Sequence, residues 1–101
     1  MHVVQILLPL TDNEGRPHPR RIFDDIKIDL TRRFKGLTAY SRAPAEGLWK
    51  PRKGTHRDDI VVYEVMVPSF RLQWWKKYRL YLEKLLRQES IVIRAQKSIA
   101  V

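Results

Sequence analysis

Glu64 is the residue on which any chemistry in this chain would turn. It stands in DDIVVYEVMVP (58–68), where Val61, Tyr63, Val65 and Val67 hold one parity and Ile60, Val62 and Met66 the other. A strand apolar on both parities is covered on both faces, so a carboxylate inside it needs a partner. Two other apolar segments supply polar residues: Gln5 in HVVQILLPL (2–10) and Arg94 in SIVIRAQKSIAV (90–101). A carboxylate beside an amide and a guanidinium in apolar surroundings can serve as a general acid–base group. It can also orient a small ligand, or form a satisfied polar row that sets the register of two surfaces.

Other chemistries find little support. His2, His18 and His56 lack a spacing suited to metal ligation. Asp12, Asn13, Glu14 and Gly15 share the opening of a calcium loop, but the later ligands are missing and the segment reads as a turn. There is no glycine-rich phosphate loop, nucleophile elbow or HExxH. The chain has no cysteine, which excludes disulfides, thiolate metal sites and cysteine nucleophiles and fits a reducing compartment. No metal and no cofactor is expected. As acid–base candidates His56 and Tyr40 rank behind Glu64.

The net charge of +9 attracts anionic partners, although a repulsive, solvated surface is the simpler reading. The cations of interest are Arg42, Lys50, Arg52, Lys53 and Arg57, with Trp49 among them. Basic residues around an aromatic suit single-stranded nucleic acid, while Trp49 packed on its own hairpin is the plainer alternative. Lys76, Lys77, Lys84 and Arg87 read as the wet face of a helix.

These residues need elements to position them. At 101 residues the chain is read as one domain, 1–101, with its own core. HVVQILLPL is a strand signature, not a leader peptide, and no apolar run reaches the length of a membrane span. TDNEGRPHP (11–19) is turn chemistry. Phe23, Ile26, Leu30, Phe34 and Leu37 then recur at three- and four-residue spacings, which predicts a helix from Pro19 to Phe34 with Gly36 as its stop. GLTAYSRA (36–43) reads as a second strand, 44–58 as a long hairpin connection closed by PRKG, and 59–67 as the third strand. SFRLQWWKKYRLYLEKLLRQES (69–90) is the clearest helix, with Ser69 as N-cap. Trp74, Trp75, Tyr78, Tyr81, Leu82, Leu85 and Leu86 form its apolar arc, and Leu80 falls outside it. Residues 90–101 make the last strand.

The order β-α-β-β-α-β predicts an α+β, ferredoxin-like fold: a four-stranded antiparallel sheet, strand order 4-1-3-2, with two helices on one face. Strand parity then divides the faces. Val4, Ile6, Leu8, Val61, Tyr63, Val65, Val67, Ile91, Ile93 and Ala95 go under the helices. Val3, Gln5, Leu7, Ile60, Val62, Glu64, Met66, Val92, Arg94 and Gln96 go to the open face, with Tyr40 and Arg42 joining them if the second strand has the matching parity. Gln5 should stand between Glu64 and Arg94. A face so apolar calls for a cover. RNA-recognition motifs share this fold and stack bases on aromatics of the two central strands; here the first strand has none and Tyr63 points to the core.

This arrangement resembles the dimeric α/β-barrel superfamily, whose chains pair sheet to sheet. The resemblance spans nearly the whole chain and rests on the pattern of elements, not on a motif. It implies a homodimer through the open face. Members include cofactor-free monooxygenases, isomerases, haem enzymes and ligand-sensing domains, so no single activity follows. GLTAYSRAPAEGLW (36–49) and RQESIVIRA (87–95) resemble stretches of small bacterial proteins of unknown function and carry no site residues over. The leading expectation is a small cytoplasmic homodimer that holds a small ligand against the open sheet face, through Gln5, Glu64, Arg94, Gln96, Tyr40 and Arg42. One alternative is a cofactor-free enzyme of the dimeric-barrel type, with Glu64 as acid–base and Arg94 orienting an anionic group. The other is a nucleic-acid binder using the 42–57 loop.

Overall fold

The computed structural model describes residues 1–42 and 60–101, with Ser41 and Arg42 described through their backbone. The elements are β1 (His2–Pro9), α1 (Arg20–Phe34), β2 (Thr38–Arg42), β3 (Ile60–Val67), α2 (Leu72–Leu85) and β4 (Val92–Lys97). All three strand pairings are antiparallel and the sheet order is β2-β3-β1-β4, the ferredoxin-like topology expected. No described helix is long and apolar enough to cross a membrane.

The core lies between one face of the sheet and both helices. Alternation along β1 sends Val4, Ile6 and Leu8 fully inside. Tyr63, Val65 and Val67 of β3 join them, with Phe23, Ile26 and Leu30 from α1 and Trp75, Tyr78 and Leu82 from α2. Each such aliphatic side chain contributes about 1.5–3 kcal/mol through its removal from water. The Tyr63 hydroxyl donates to the Phe23 carbonyl at 3.1 Å, so the polar tip of a core residue ties β3 to α1. Leu80 is exposed, as its place outside the apolar arc requires.

Several boundaries depart from the sequence expectation. Ser69 does not cap α2: the N-cap is Arg71, with no side-chain hydrogen bond. The delay seats Phe70, whose ring stacks with Trp75 at 6.3 Å and meets His2 at 5.8 Å; burial of an aromatic ring outweighs a cap worth about 1 kcal/mol. α1 ends at Phe34 as expected, but the left-handed residue that stops it is Lys35 (φ 59°) and not Gly36, with the Lys35 N–H donating to the Thr31 carbonyl at 2.9 Å. Tyr81, expected in the buried arc, is exposed because it lies at the arc's edge beside α1. Glu83 of α2 is half-buried and accepts from the Ile91 N–H at 2.9 Å, fastening α2 to the residue before β4. β4 is shorter than the 90–101 segment and stops at Lys97. The 44–58 connection lies outside the described residues.

Candidate functional site

Register builds the site. Gln5 of β1 lies opposite Glu64 of β3 on one side and opposite Arg94 of β4 on the other. Because Val4, Ile6, Tyr63, Val65, Ile93 and Ala95 turn to the helices, all three polar residues turn away from them, onto the open face. β2 completes the row with Thr38, opposite Glu64.

The side chains close into a chain of hydrogen bonds. Gln5 Nε2 donates to Glu64 Oε1 at 2.9 Å, and Arg94 Nε donates to Gln5 Oε1 at 2.8 Å. A carboxylate only accepts and a guanidinium only donates, so a single orientation of the Gln5 amide satisfies both neighbours. The Tyr40 hydroxyl reaches Glu64 Oε2 at 3.4 Å, a long contact that leaves this oxygen open to a closer donor. Among the described residues Arg94 commits only Nε, and its two terminal nitrogens make no hydrogen bond. Among the described residues Arg94 and Glu64 form no direct ion pair; the amide stands between them.

Around this row the face is apolar. Val3, Leu7 and Ile60 are half-buried, while Met66 and Val92 remain 49% and 51% exposed and Tyr40 45%. A polar row capable of donating and accepting, set in exposed hydrocarbon, combines what a ligand site needs: area to desolvate and a few directional contacts.

The other expected residues fall around it. Gln96 is exposed one row away, in register with Val3, and takes no part in the hydrogen-bonded row. Arg42 lies in register with Ile60, so its parity is that of Tyr40 and Glu64. Trp49, Lys50, Arg52, Lys53, His56 and Arg57 lie outside the described residues. His2 packs its ring by Phe70, and His18 stands edge-on to Phe23 at 6.0 Å. Among the described residues no three His, Cys, Asp or Glu side chains converge. The 12–15 segment is a turn: Gly15 N–H donates to the Asp12 carbonyl at 3.0 Å, with Gly15 at φ 84°. Thr38 was missed from the row, although the parity of Tyr40, two residues on, would have included it.

Neither a protein-family model nor a curated protein matches the chain. Among solved structures, the chain is similar to a phage SAM lyase in complex with S-methyl-5'-thioadenosine. The superposition has a TM-score of 0.56 at 13% identity and covers 95% of this chain and 80% of that one. At that identity the likeness shows the fold.

Proposed function

We propose that this protein binds a small nucleoside-like ligand on the open face of its sheet, with two copies of the chain pairing over that face. The observation that carries the reading is the hydrogen-bonded row Arg94–Gln5–Glu64–Tyr40 within an exposed apolar surface. The row's chemistry suits such a ligand. Glu64 Oε2 can accept from a ribose hydroxyl, as carboxylates do in other nucleoside sites. The terminal nitrogens of Arg94 can take a ring nitrogen or an anionic group, and Val3, Leu7, Met66 and Val92 can hold a base or a thioether by contact. The similar fold of the phage SAM lyase holds a ligand of this class. Sheet-to-sheet pairing would remove the exposed apolar area from water and enclose the ligand.

A second reading is enzymatic and is favoured by the same neighbour. With a sulfonium substrate, the carbon–sulfur bond would break with its electron pair staying on sulfur as a neutral thioether. Glu64 would accept the proton from the carbon next to the one that leaves sulfur, and that C–H pair would become a carbon–carbon double bond in the released fragment. Arg94 would orient the anionic end of the substrate.

Calorimetric titration with S-methyl-5'-thioadenosine and with SAM tests both, alongside light scattering on the same samples. The expected result is a dimer that binds at least one of the two, with Glu64→Gln folding normally and binding roughly tenfold or more weakly, the loss of a charge-assisted hydrogen bond. Release of the thioether from SAM by wild type and not by Glu64→Gln would select the enzymatic reading. A monomer that binds neither compound would overturn both.

A further inference from the structure

A concavity lies on the opposite side of the molecule from the open sheet face, in the groove between α1 and α2. It encloses about 480 Å³, within the range of small-molecule sites. The two helices line it with the same spacing: each contributes residues i, i+3, i+4, i+7 and i+11, starting from Ile22 on α1 and from Trp74 on α2. This spacing is one stripe of a helix surface, so both stripes face the groove along its length. The helices run antiparallel, since Arg33 near the end of α1 places its guanidinium 5.3 Å from the ring centre of Trp74 near the start of α2.

The stripe on α2 is aromatic. Trp74 stacks with Tyr78 at 5.0 Å and Tyr78 with Tyr81 at 5.9 Å, giving a stepped wall whose outer ring, Tyr81, is 56% exposed. Tyr78 is more than nine-tenths buried, and its hydroxyl has no hydrogen-bond partner among the described residues. Burial, and next the Asp29 carboxylate beside it, raise its pKa well above the ordinary tyrosine value, so it remains a neutral phenol.

The groove holds four charges, and they sort into two kinds. Asp29 and Arg33 satisfy each other through an i,i+4 ion pair at 3.0 Å. Asp25 on α1 and Lys77 on α2 form no ion pair among the described residues. A carboxylate on α1 and an ammonium on α2, both unpaired among the described residues, therefore border the groove on its two sides, with the aromatic stripe on the side of the ammonium. A singly charged ligand would satisfy one wall and be repelled by the other; a ligand carrying both charges satisfies both.

We infer that the α1–α2 groove is a binding site for a zwitterionic amino acid with an apolar or aromatic side chain. Its ammonium meets Asp25, its carboxylate meets Lys77, and its side chain lies on Tyr78, Tyr81 and Leu85. This site is separate from the sheet face and does not depend on the function proposed for it.

The test uses the full chain and L-phenylalanine as probe, with phenethylamine and hydrocinnamate as analogues that each keep one of the two charges. Binding is followed by amide chemical shifts. The expected result is saturable binding of L-phenylalanine, with shifts confined to α1 and α2 and both analogues weaker. Asp25→Asn and Lys77→Met, changes at exposed positions that leave the core intact, should each weaken it roughly tenfold or more. Glu64→Gln should leave it unchanged. Absence of saturable shifts with L-phenylalanine, L-tyrosine, L-leucine and L-methionine would overturn the inference. So would equal binding of phenethylamine, or binding lost in Glu64→Gln and kept in Lys77→Met.

Discussion

Gln5 donates its amide to Glu64 across the β1–β3 pair at 2.9 Å, and that one hydrogen bond fixes the direction in which the whole open-face row is polarised. With Nε2 committed to the carboxylate, Oε1 must face β4, where Arg94 Nε meets it at 2.8 Å. The amide thus transmits the orientation of an acceptor on one strand to a donor two strands away. Among the described residues Glu64 is left with one oxygen that has only a long contact, and Arg94 with two nitrogens, for anything that settles on the face.

Replacing Gln5 by Leu tests the role of that relay. The row is reached by water in a single chain, so loss of its two hydrogen bonds should cost no more than about 1 kcal/mol in urea unfolding of dilute protein. If two copies cover the face, the same change leaves Glu64 and Arg94 unbridged in a drier setting. The dimer should then weaken roughly tenfold or more, read by light scattering across concentration. Dimerisation unchanged by Gln5→Leu would remove the row from the interface.

Two leucines on α2 make a controlled pair for the core. Leu82 is fully buried in the core between the sheet and the helices, whereas Leu80, two positions earlier, is 58% exposed. Leu82→Ala should cost about 2–5 kcal/mol, the transfer and cavity terms together. Leu80→Ala should stay within about 0.5 kcal/mol, since Ala is also the better helix former. Urea midpoints of the two variants read the contrast directly, and similar losses at both sites would mean that α2 is rotated about its axis.

Parity made most of the sheet legible. A period of two assigns Gln5, Glu64 and Arg94 to one face without any coordinates, and the βαββαβ order makes their strands neighbours. GLTAYSRA has no alternation, so β2 could be placed on neither parity until its pairing with β3 set Tyr40 opposite Val62 and Thr38 opposite Glu64. The helix groove was hidden for a different reason. A helical wheel separates apolar from charged residues, and it filed Lys77 with solvent and Tyr81 with the core, whereas both border a groove that exists only once α1 lies beside α2. Ser69 misled because cap preference is a weak local term, and Phe70 is held by Trp75 and His2.

The turn after β1 should carry a pH signature. Asp12 Oδ1 accepts from the N–H groups of Glu14 at 2.8 Å and Arg16 at 2.9 Å, an arrangement that mimics a backbone turn. The Arg16 N–H bond is the largest influence on the carboxyl. Partial desolvation opposes it, and the Glu14 N–H with the charges of Arg16 and His18 adds to the lowering, so the pKa falls below its ordinary 3.8. A depressed folded-state pKa means that the unfolded chain takes up the proton first as pH falls. The stabilisation is therefore fully present above the ordinary value and is lost as pH drops from there through the folded value. Asp12→Asn keeps an acceptor oxygen but not the charge. It should be less stable than wild type near neutrality, and the gap between their urea midpoints should shrink as pH falls below 3.8. A gap independent of pH down to the acid limit would mean that the ionised form of Asp12 does not hold this turn.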